Sequence, residues 1–365
     1  MLTELRFKNW RSLRNVTISD LTPITVFVGA NSSGKTNILD GLHFLKRSNV
    51  SPEVAVFLWQ GLEKIKTLDV SIQGDVELGF TFDWNGSSAL SDQIILNTNK
   101  YQQFFGEHGK MFPGPVPNQM DWVNESDDKL INRMEEVAKY ARHYKRDRWQ
   151  LLREDMTPPL TLDSNNDFDD PFLMDARARN LPMMLDFMKQ QQPTVYAELQ
   201  ADLRWLLSHV EKLETRRDER ETRIVLHEKM LGGTEAPTIS GGTARVLAML
   251  TAYYALDMRS PELPGLVVIE EPDTAIHPLL LENLVDLLRS YTERQDRPRQ
   301  FILTTHNPHF LDYFRPEEVR VVERDPETGE TFVDTISDSI KEIWLPKHSL
   351  GDAWTSRVIG GIPTE

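Results

Sequence analysis

The sequence predicts an α/β fold interrupted by a mainly helical middle, and three observations carry that reading. The apolar run Ile24 to Val28 ends at Gly29, passes through a short Gly/Ser loop, and gives way to Ile38, Leu39, Leu42 and Leu45 at helical spacing. Beyond about residue 219 the alternation returns: Arg223 to His227 reads as a strand, Thr243 begins a helix, Leu266 to Ile269 is a strand, a helix follows Pro278, and Phe301 to Thr304 is a further strand. Between these regions Leu130, Met134, Val137, Ala141 and Tyr144 step by four and three, as do Leu199, Leu203, Leu206, Val210 and Leu213, so two amphipathic helices are expected. Residues 1–99 and 219–365 therefore read as one α/β body and 100–218 as a mainly helical insertion.

From the N-terminus, Leu5 and Phe7, then Val16 and Ile18, alternate with polar residues as in half-buried strands. "LDVSIQGDVELGFTFDW", Leu68 to Trp84, predicts an antiparallel pair turning near Gln73 to Asp75. Neither middle helix sustains enough heptads for a long coiled coil, and Thr194 to Thr215 reaches only about 30 Å at helical rise. An acidic, proline-containing loop at about 154–175 separates them. "VRVVERDPETGETFVDTI" predicts a hairpin turning at Glu327 to Gly329.

The bulk numbers narrow the function. A 365-residue chain with 39% hydrophobic residues can build a core. Its 41 Lys+Arg against 56 Asp+Glu give a net charge of -15, so a nucleic-acid partner has to be met by a local basic patch. The absence of cysteine excludes disulfides, thiolate metal sites and a cysteine nucleophile. The opening "MLTELRFKNWRSLRN" lacks the apolar region of a signal peptide, and no run approaches the ~18 apolar residues of a membrane helix. A cytoplasmic protein without a membrane partner is expected.

"GANSSGKT", Gly29 to Thr36, matches G-x-x-x-x-G-K-[ST] between a strand and a helix. The glycines let the backbone curl so that N–H groups point inward at phosphate oxygens, and the positive end of the following helix dipole faces the same place. The candidate ATP-binding set is Gly29, Asn31, Ser32, Ser33, Gly34, Lys35, Thr36 and Asn37. Lys35 is expected on the β/γ-phosphates and the Thr36 hydroxyl on Mg²⁺. In "ISGGTARVLAML", Ser240, Gly241 and Gly242 precede another helix, a second anion-binding terminus. One nucleotide has one terminal phosphate, so the second terminus makes best sense on a nucleotide held by another subunit.

With these motifs in order, the chain resembles the ATP-binding-cassette superfamily, and within it the RecF, OLD and structural-maintenance-of-chromosomes ATPases. "LTELRFKNWRSLRNVTI" before "VFVGANSSGKTNILDGLHFL" looks like the opening of that group, "ISGGTARVLA" resembles its signature, "VVIEEPDTAIHP" its Walker B and D-loop, and "TTHNPHFLD" its switch-histidine segment. The likeness covers about residues 1–48 and 220–320. It implies a two-lobed α/β head with a mixed sheet and a P-loop NTPase core, which dimerises head to tail around two ATP molecules. It also implies roles. Glu270 stands on the Mg²⁺ side, where Asp is commoner; Glu271 is the catalytic base; His306 contacts the γ-phosphate; Asp273 and His277 belong to the D-loop. His277 is either an interface residue near the partner's phosphate loop or the cap of the next helix. Arg245 either touches phosphate or pairs with an acidic neighbour. Gln60 is the candidate for the metal-side glutamine, with Gln73 the alternative.

The likeness leaves the middle unexplained. "KYARHYKRDRWQLLR", Lys139 to Arg153, interleaves Lys139, Arg142, Lys145, Arg146 and Arg148 with Tyr140, Tyr144 and Trp149. It is either a nucleic-acid surface, with charge on phosphate and rings stacked on bases, or the solvated face of a helix. "ETRRDERETR" reads as a salt-bridged surface. OLD-type nucleases continue into a Toprim domain for which "SLGDAWTSRVIGGIP" leaves no room, so the resemblance suggests pairing with a separately encoded effector, such as a nuclease, in anti-phage defence. A RecF-like repair ATPase without an effector is the alternative, and a transporter's nucleotide-binding subunit the third. The expected partners are a second copy in an ATP-dependent dimer or higher oligomer, the effector, and DNA or another nucleic acid. The Gly360 to Pro363 tail either docks a partner or closes the core.

Overall fold

The computed structural model describes residues 1–48, 52–60, 62–66, 74–84, 88–96, 101–107, 110–113, 148–163, 173–231, 234–235, 239–258 and 263–361. The chain divides into two compact units, Met1–Arg146 with Arg315–Glu365, and Asp147–Phe314.

The first unit opens with strands β1 (Leu2–Trp10) and β2 (Leu13–Ile18), paired antiparallel with Leu5 opposite Ile18 and Phe7 opposite Val16. Burying the alternate side chains Leu5, Phe7, Val16 and Ile18 sets that register. The turn between the strands places Asn9 and Arg11 at positive φ of 54° and 48°. Strand β3 (Ile24–Val28) is buried along its whole length and delivers the chain to the phosphate loop. Helix α1 (Lys35–Ser48) follows, burying Ile38, Leu39, Leu42 and Leu45 on one stripe. Two short helices, α2 (Pro52–Leu58) and α3 (Leu62–Ile65), lead towards β4 (Val76–Trp84). From there β5 (Ser88–Leu96), β6 (Tyr101–Glu107) and β7 (Lys110–Pro113) extend an antiparallel sheet in the order β2-β1-β4-β5-β6-β7.

The second unit starts with β8 (Trp149–Leu152), a short strand buried at every position, followed by β9 (Thr161–Asp163). Helices α4 (Leu181–Gln191) and α5 (Pro193–Leu206) each begin with proline in the first turn, where its missing N–H costs nothing. β10 (Val210–Arg217) and β11 (Glu221–Glu228) form a hairpin edged by β9 and by β12 (Thr234–Glu235). Helix α6 (Gly241–Ala255) is buried nearly all round. β13 (Gly265–Glu270), helix α7 (Leu281–Thr292), β14 (Arg299–Thr305) and the short helix α8 (Pro308–Leu311) complete the unit. β13 lies parallel between β8 and β14.

The chain then returns to the first unit as β15 (Val319–Arg324) and β16 (Thr331–Thr335), the expected hairpin, with Gly329 at φ 68° in its turn. β15 runs parallel to β3 and antiparallel to β16. Helices α9 (Asp338–Ile343) and α10 (Leu350–Thr355) follow.

Two expectations are corrected. Val210 and Leu213 do not continue the helix through Leu199, Leu203 and Leu206; they belong to β10, where a register shift between Val210 and Lys212 spaces buried strand residues three apart. The compact units also differ from the expected division into 1–99 with 219–365 and 100–218, because β6 bonds onto β5 and β7 onto β6, β8 onto β13, and β10 onto β11. The described part of 100–218 thus holds strands as well as helices α4 and α5. The helix expected through Leu130 to Tyr144, residues 164–172 of the acidic loop, and Gln73 in the expected turn lie outside the described residues.

Candidate functional site

The phosphate loop is built from both sides of its own unit. Ser32 and Gly34 take positive φ of 67° and 115°, which curls the backbone. A Cβ on Gly34 would lie 2.3 Å from Thr331 Oγ1, and one on Gly29 would lie 2.3 Å from the Val322 carbonyl, so both positions require glycine. β16 fixes the loop through Thr331, whose Oγ1 donates to the Ser33 carbonyl at 2.9 Å and lies 2.7 Å from Ser12 Oγ. Lys35 is buried, and its Nζ donates to the carbonyls of Gly29 (2.7 Å) and Ala30 (3.1 Å), spanning the loop.

These residues fit a triphosphate. Ser33 Oγ is buried and makes no hydrogen bond among the described residues, while Asn31, Ser32 and Thr36 are exposed. Loop and helix N-terminus together present backbone N–H groups to an anion. Asn37 has its side chain and its carbonyl on the N-terminal hairpin. Its Nδ2 donates to Ser12 Oγ at 2.6 Å, its Oδ1 accepts from Arg11 at 3.3 Å, and its carbonyl accepts from Trp10 Nε1 at 2.8 Å. It fastens α1 to the N-terminal hairpin, beside an Arg11–Asp40 ion pair.

The paired carboxylates belong to the second unit. Glu270 ends β13 and is buried; its Oε2 lies 3.4 Å from Arg153 Nε and accepts from the Glu154 N–H at 3.4 Å. The parallel register explains this neighbour, since Leu152 stands opposite Ile269 and the next residues come together. Glu271, 4% exposed, sits at φ 50°, a left-handed conformation that costs a non-glycine residue about 1–3 kcal/mol. Its N–H donates to Thr304 Oγ1 at 3.1 Å. Its Oε2 lies 2.9 Å from His306 Nδ1 and accepts from the His306 N–H at 3.2 Å. The strained turn therefore points the Glu271 carboxylate at His306, whose ring stays about half exposed. Strain held by several bonds is characteristic of functional positions.

At the start of α6, Ser240 caps the helix, its Oγ accepting from the Thr243 N–H at 3.1 Å. Ser240 and Gly241 are exposed, and a Cβ on Gly241 would meet nothing within 4 Å. Gly242 is different: a Cβ there would lie 2.4 Å from the Ala275 carbonyl, which locks the signature turn against the D-loop. Asp273 in that loop is buried and accepts from Thr305 Oγ1 at 3.1 Å. His277 takes the capping role, its Nδ1 accepting from the Leu279 N–H at 3.2 Å while the residue is exposed.

Arg245 stands among acidic neighbours, and its hydrogen bonds go to their backbone. It is 5% exposed and donates through Nη1 to the Glu154 carbonyl at 2.7 Å and through Nη2 to the Glu271 carbonyl at 3.0 Å. Burial pulls its pKa below the ordinary arginine value, against the opposing charges of Glu154, Asp273 and Glu271. It is a buried brace between the end of β8 and the end of β13.

The basic run is corrected where it is described. Trp149 is buried in β8, and Arg148 is buried with its guanidinium donating to the carbonyls of Leu263 (2.8 Å) and Pro264 (3.1 Å), so neither faces a nucleic acid. Lys139 to Arg146 lie outside the described residues. Gln60 sits exposed at φ 64° just beyond α2; Gln73 lies outside. Sequence reasoning missed Arg153, Thr304, Thr305 and Thr331. The two threonines beside His306 were visible in "FILTTH" as hydroxyls at a strand end.

Among the described residues no helix is long and apolar enough to cross a membrane. Comparison with known proteins gives a consistent picture. The family described as "AAA domain, putative AbiEii toxin, Type IV TA system" matches residues 120–312, just over half of the chain, and an AAA ATPase domain matches residues 1–158. A DNA replication and repair protein RecF from Natranaerobius thermophilus is 37% identical over 62 residues, 16% of each chain. RecF from Lactococcus lactis subsp. cremoris is 26% identical over 110 residues, 29% of this chain and 30% of the relative. The matched segments thus span well under a third to about a third of those relatives. In fold, the chain is similar to an Smc head bound to the C-winged helix domain of ScpA, with TM-score 0.60 and 14% identity over 94% of this chain and 99% of that one. An Smc head with an extended coiled coil, bound to the C-terminal domain of ScpA and derived from Pyrococcus furiosus, gives TM-score 0.54 and 12% identity over 95% and 98%. The fold is the α/β fold of these ATPase heads.

Proposed function

We propose that this chain, which belongs to the AAA-domain family matched over residues 120–312, binds and hydrolyses ATP, and that the bound nucleotide controls its association with a second copy. The observation that carries the proposal is the Glu271–His306 pair, a buried carboxylate held at positive φ and 2.9 Å from an imidazole, in a chain that also holds a complete phosphate loop.

The roles follow from the chemistry of each group. Lys35 neutralises β- and γ-phosphate charge while the loop's N–H groups bind the phosphate oxygens. Thr36 would offer Mg²⁺ a hydroxyl, and Glu270, in the second unit, is the carboxylate proposed for the same ion, oxygen donors of the kind that Mg²⁺ takes; when bound, Mg²⁺ would offset the charge on the phosphates. Glu271 takes the proton of the attacking water, and His306 fixes the rotamer of that carboxylate. Ser240 and Gly241, exposed at a helix N-terminus, suit a phosphate carried by a partner copy. Asp273 and His277 are the D-loop residues of this proposal.

We read the downstream role as control of a nucleic-acid-directed partner, with a separately encoded nuclease effector in anti-phage defence as one form. The RecF relatives favour a second form, a repair or maintenance ATPase that acts on DNA without an effector. The Smc heads, each bound to a domain of ScpA, support a protein partner for this head as well. ATP as substrate fits a cytoplasmic setting. Affinity capture of the tagged chain from its host, with and without a non-hydrolysable ATP analogue, separates the forms. Nucleotide-dependent recovery of a nuclease supports the effector form, and recovery of replication or recombination proteins supports the repair form. Recovery of neither, together with no DNA-stimulated turnover, contradicts both.

A further inference from the structure

We infer that the Gly360–Gly361 tail is a positioning element for nucleotide binding: it pins the first peptide of the phosphate loop so that Lys35 and the remaining loop N–H groups are set for the phosphates. The inference rests on the reading of Gly29 to Thr36 as an ATP site and adds to it a segment some three hundred residues away in sequence.

The Ala30 N–H donates to the Gly361 carbonyl at 2.7 Å. The Gly361 N–H is in turn held by the Glu323 carboxylate, at the end of β15. Both glycines are left-handed, with φ of 78° and 77°, a conformation that penalises any residue with a side chain. A Cβ on Gly360 would lie 2.5 Å from Glu323 Oε1, and one on Gly361 would lie 3.0 Å from both Trp354 Nε1 and Val321 Cγ1 and 3.5 Å from the Gly29 Cα. Gly29 is thus approached by both the Val322 carbonyl and the tail. A tail that only sealed the core would do so through side chains, as Trp354 and Ile359 do just before it. These two glycines instead meet the loop with backbone.

The consequence passes through Ala30. Its carbonyl accepts from Lys35 Nζ at 3.1 Å and from the Ser33 N–H at 3.2 Å. Fixing the Ala30 N–H from outside fixes the orientation of the peptide before it, and with it the Gly29 carbonyl, one of the two on which Lys35 rests. The tail's N–H bond uses up an N–H at the loop's entrance, leaving those nearer the helix for the anion.

The test measures binding of a ribose-labelled fluorescent ATP and steady-state ATPase activity on the full chain. Gly361→Val is expected to weaken ATP affinity and raise KM about tenfold, the size of the strain imposed by a β-branched residue at this φ, with kcat retained. Gly361→Ala should lose less, and Val321→Ala added to it should recover part of the loss by relieving the 3.0 Å contact. Glu323→Gln keeps an acceptor for the Gly361 N–H and should stay near wild type, whereas Glu323→Ala should weaken affinity several-fold. Should Gly361→Val fail to fold, judged by its melting curve, the Glu323 pair decides alone. Wild-type KM in a folded Gly361→Val protein, or in Glu323→Ala, overturns the positioning role. So does a loss confined to kcat. A wild-type protein that binds the probe no better than Lys35→Ala overturns the ATP reading itself, and this inference with it.

Discussion

Replacing Arg245 by methionine separates the buried brace from a phosphate contact. Methionine keeps most of the apolar bulk and removes the guanidinium that bonds to the Glu154 and Glu271 carbonyls at 2.7 and 3.0 Å. Each hydrogen bond from a charged donor contributes about 1.5–3 kcal/mol. The two lost bonds sum to about 3–6 kcal/mol, from which the desolvation cost of a buried arginine is recovered, leaving a net loss of about 3 kcal/mol. For a unit of this size that corresponds to a fall in Tm of about 6–12 °C. Arg245→Lys should also lose stability, because an ammonium on a flexible stem cannot fork between two carbonyls. The assay is urea denaturation followed by tryptophan fluorescence, alongside titration with ATP. A denaturation midpoint unchanged in Arg245→Met, combined with loss of ATP-dependent dimerisation, would refute the brace and restore the phosphate role.

Other expectations test separate parts of the site. Lys35→Ala should lose ATP affinity at least tenfold in the same titration, since it removes the cation and the bonds that span the loop. Gly242→Ala brings a Cβ to 2.4 Å from the Ala275 carbonyl and should cost about 1–3 kcal/mol, read as a lower denaturation midpoint together with weaker ATP-dependent dimerisation. Arg153→Gln takes a cation away from the Glu270 carboxylate; Arg153 is 27% exposed, so the expected effect is small, a two- to fivefold drop (roughly) in the Mg²⁺ concentration needed for half-maximal ATP binding, measured by fluorescence.

What the sequence disclosed was the chemistry held in contiguous segments. Gly29 to Thr36, Ser240 to Gly242 and Val267 to Glu271 are each shaped by local backbone geometry, and their residue types advertise it. Long-range partners were not visible in the same way. Arg153 reaches Glu270 only because β8 pairs with β13, and "WQLL" is too short a run to show itself as a buried parallel strand within a charged segment that otherwise steps like a helix. The shift in β10 did the same for Val210 and Leu213, turning a strand's period of two into a helical spacing of three. His277 had two readings because a capping histidine and an exposed interface histidine use the same residue type, and its Nδ1 is on the Leu279 N–H. Arg245 had two readings because an arginine beside a glycine-rich helix start suits an anion as well as an acidic neighbourhood, and its guanidinium is on the carbonyls of Glu154 and Glu271.

The most direct test of the account is the ATPase rate of Glu271→Gln. Glutamine keeps the size of the side chain and an oxygen acceptor for the His306 N–H at 3.2 Å, but it cannot take a proton from water. Turnover is expected to fall by about 10²–10⁴, with ATP affinity retained and the ATP-bound dimer accumulating in size-exclusion chromatography. Turnover near that of the wild type, with no dimer trapped by ATP, would contradict the assignment of Glu271 as the base.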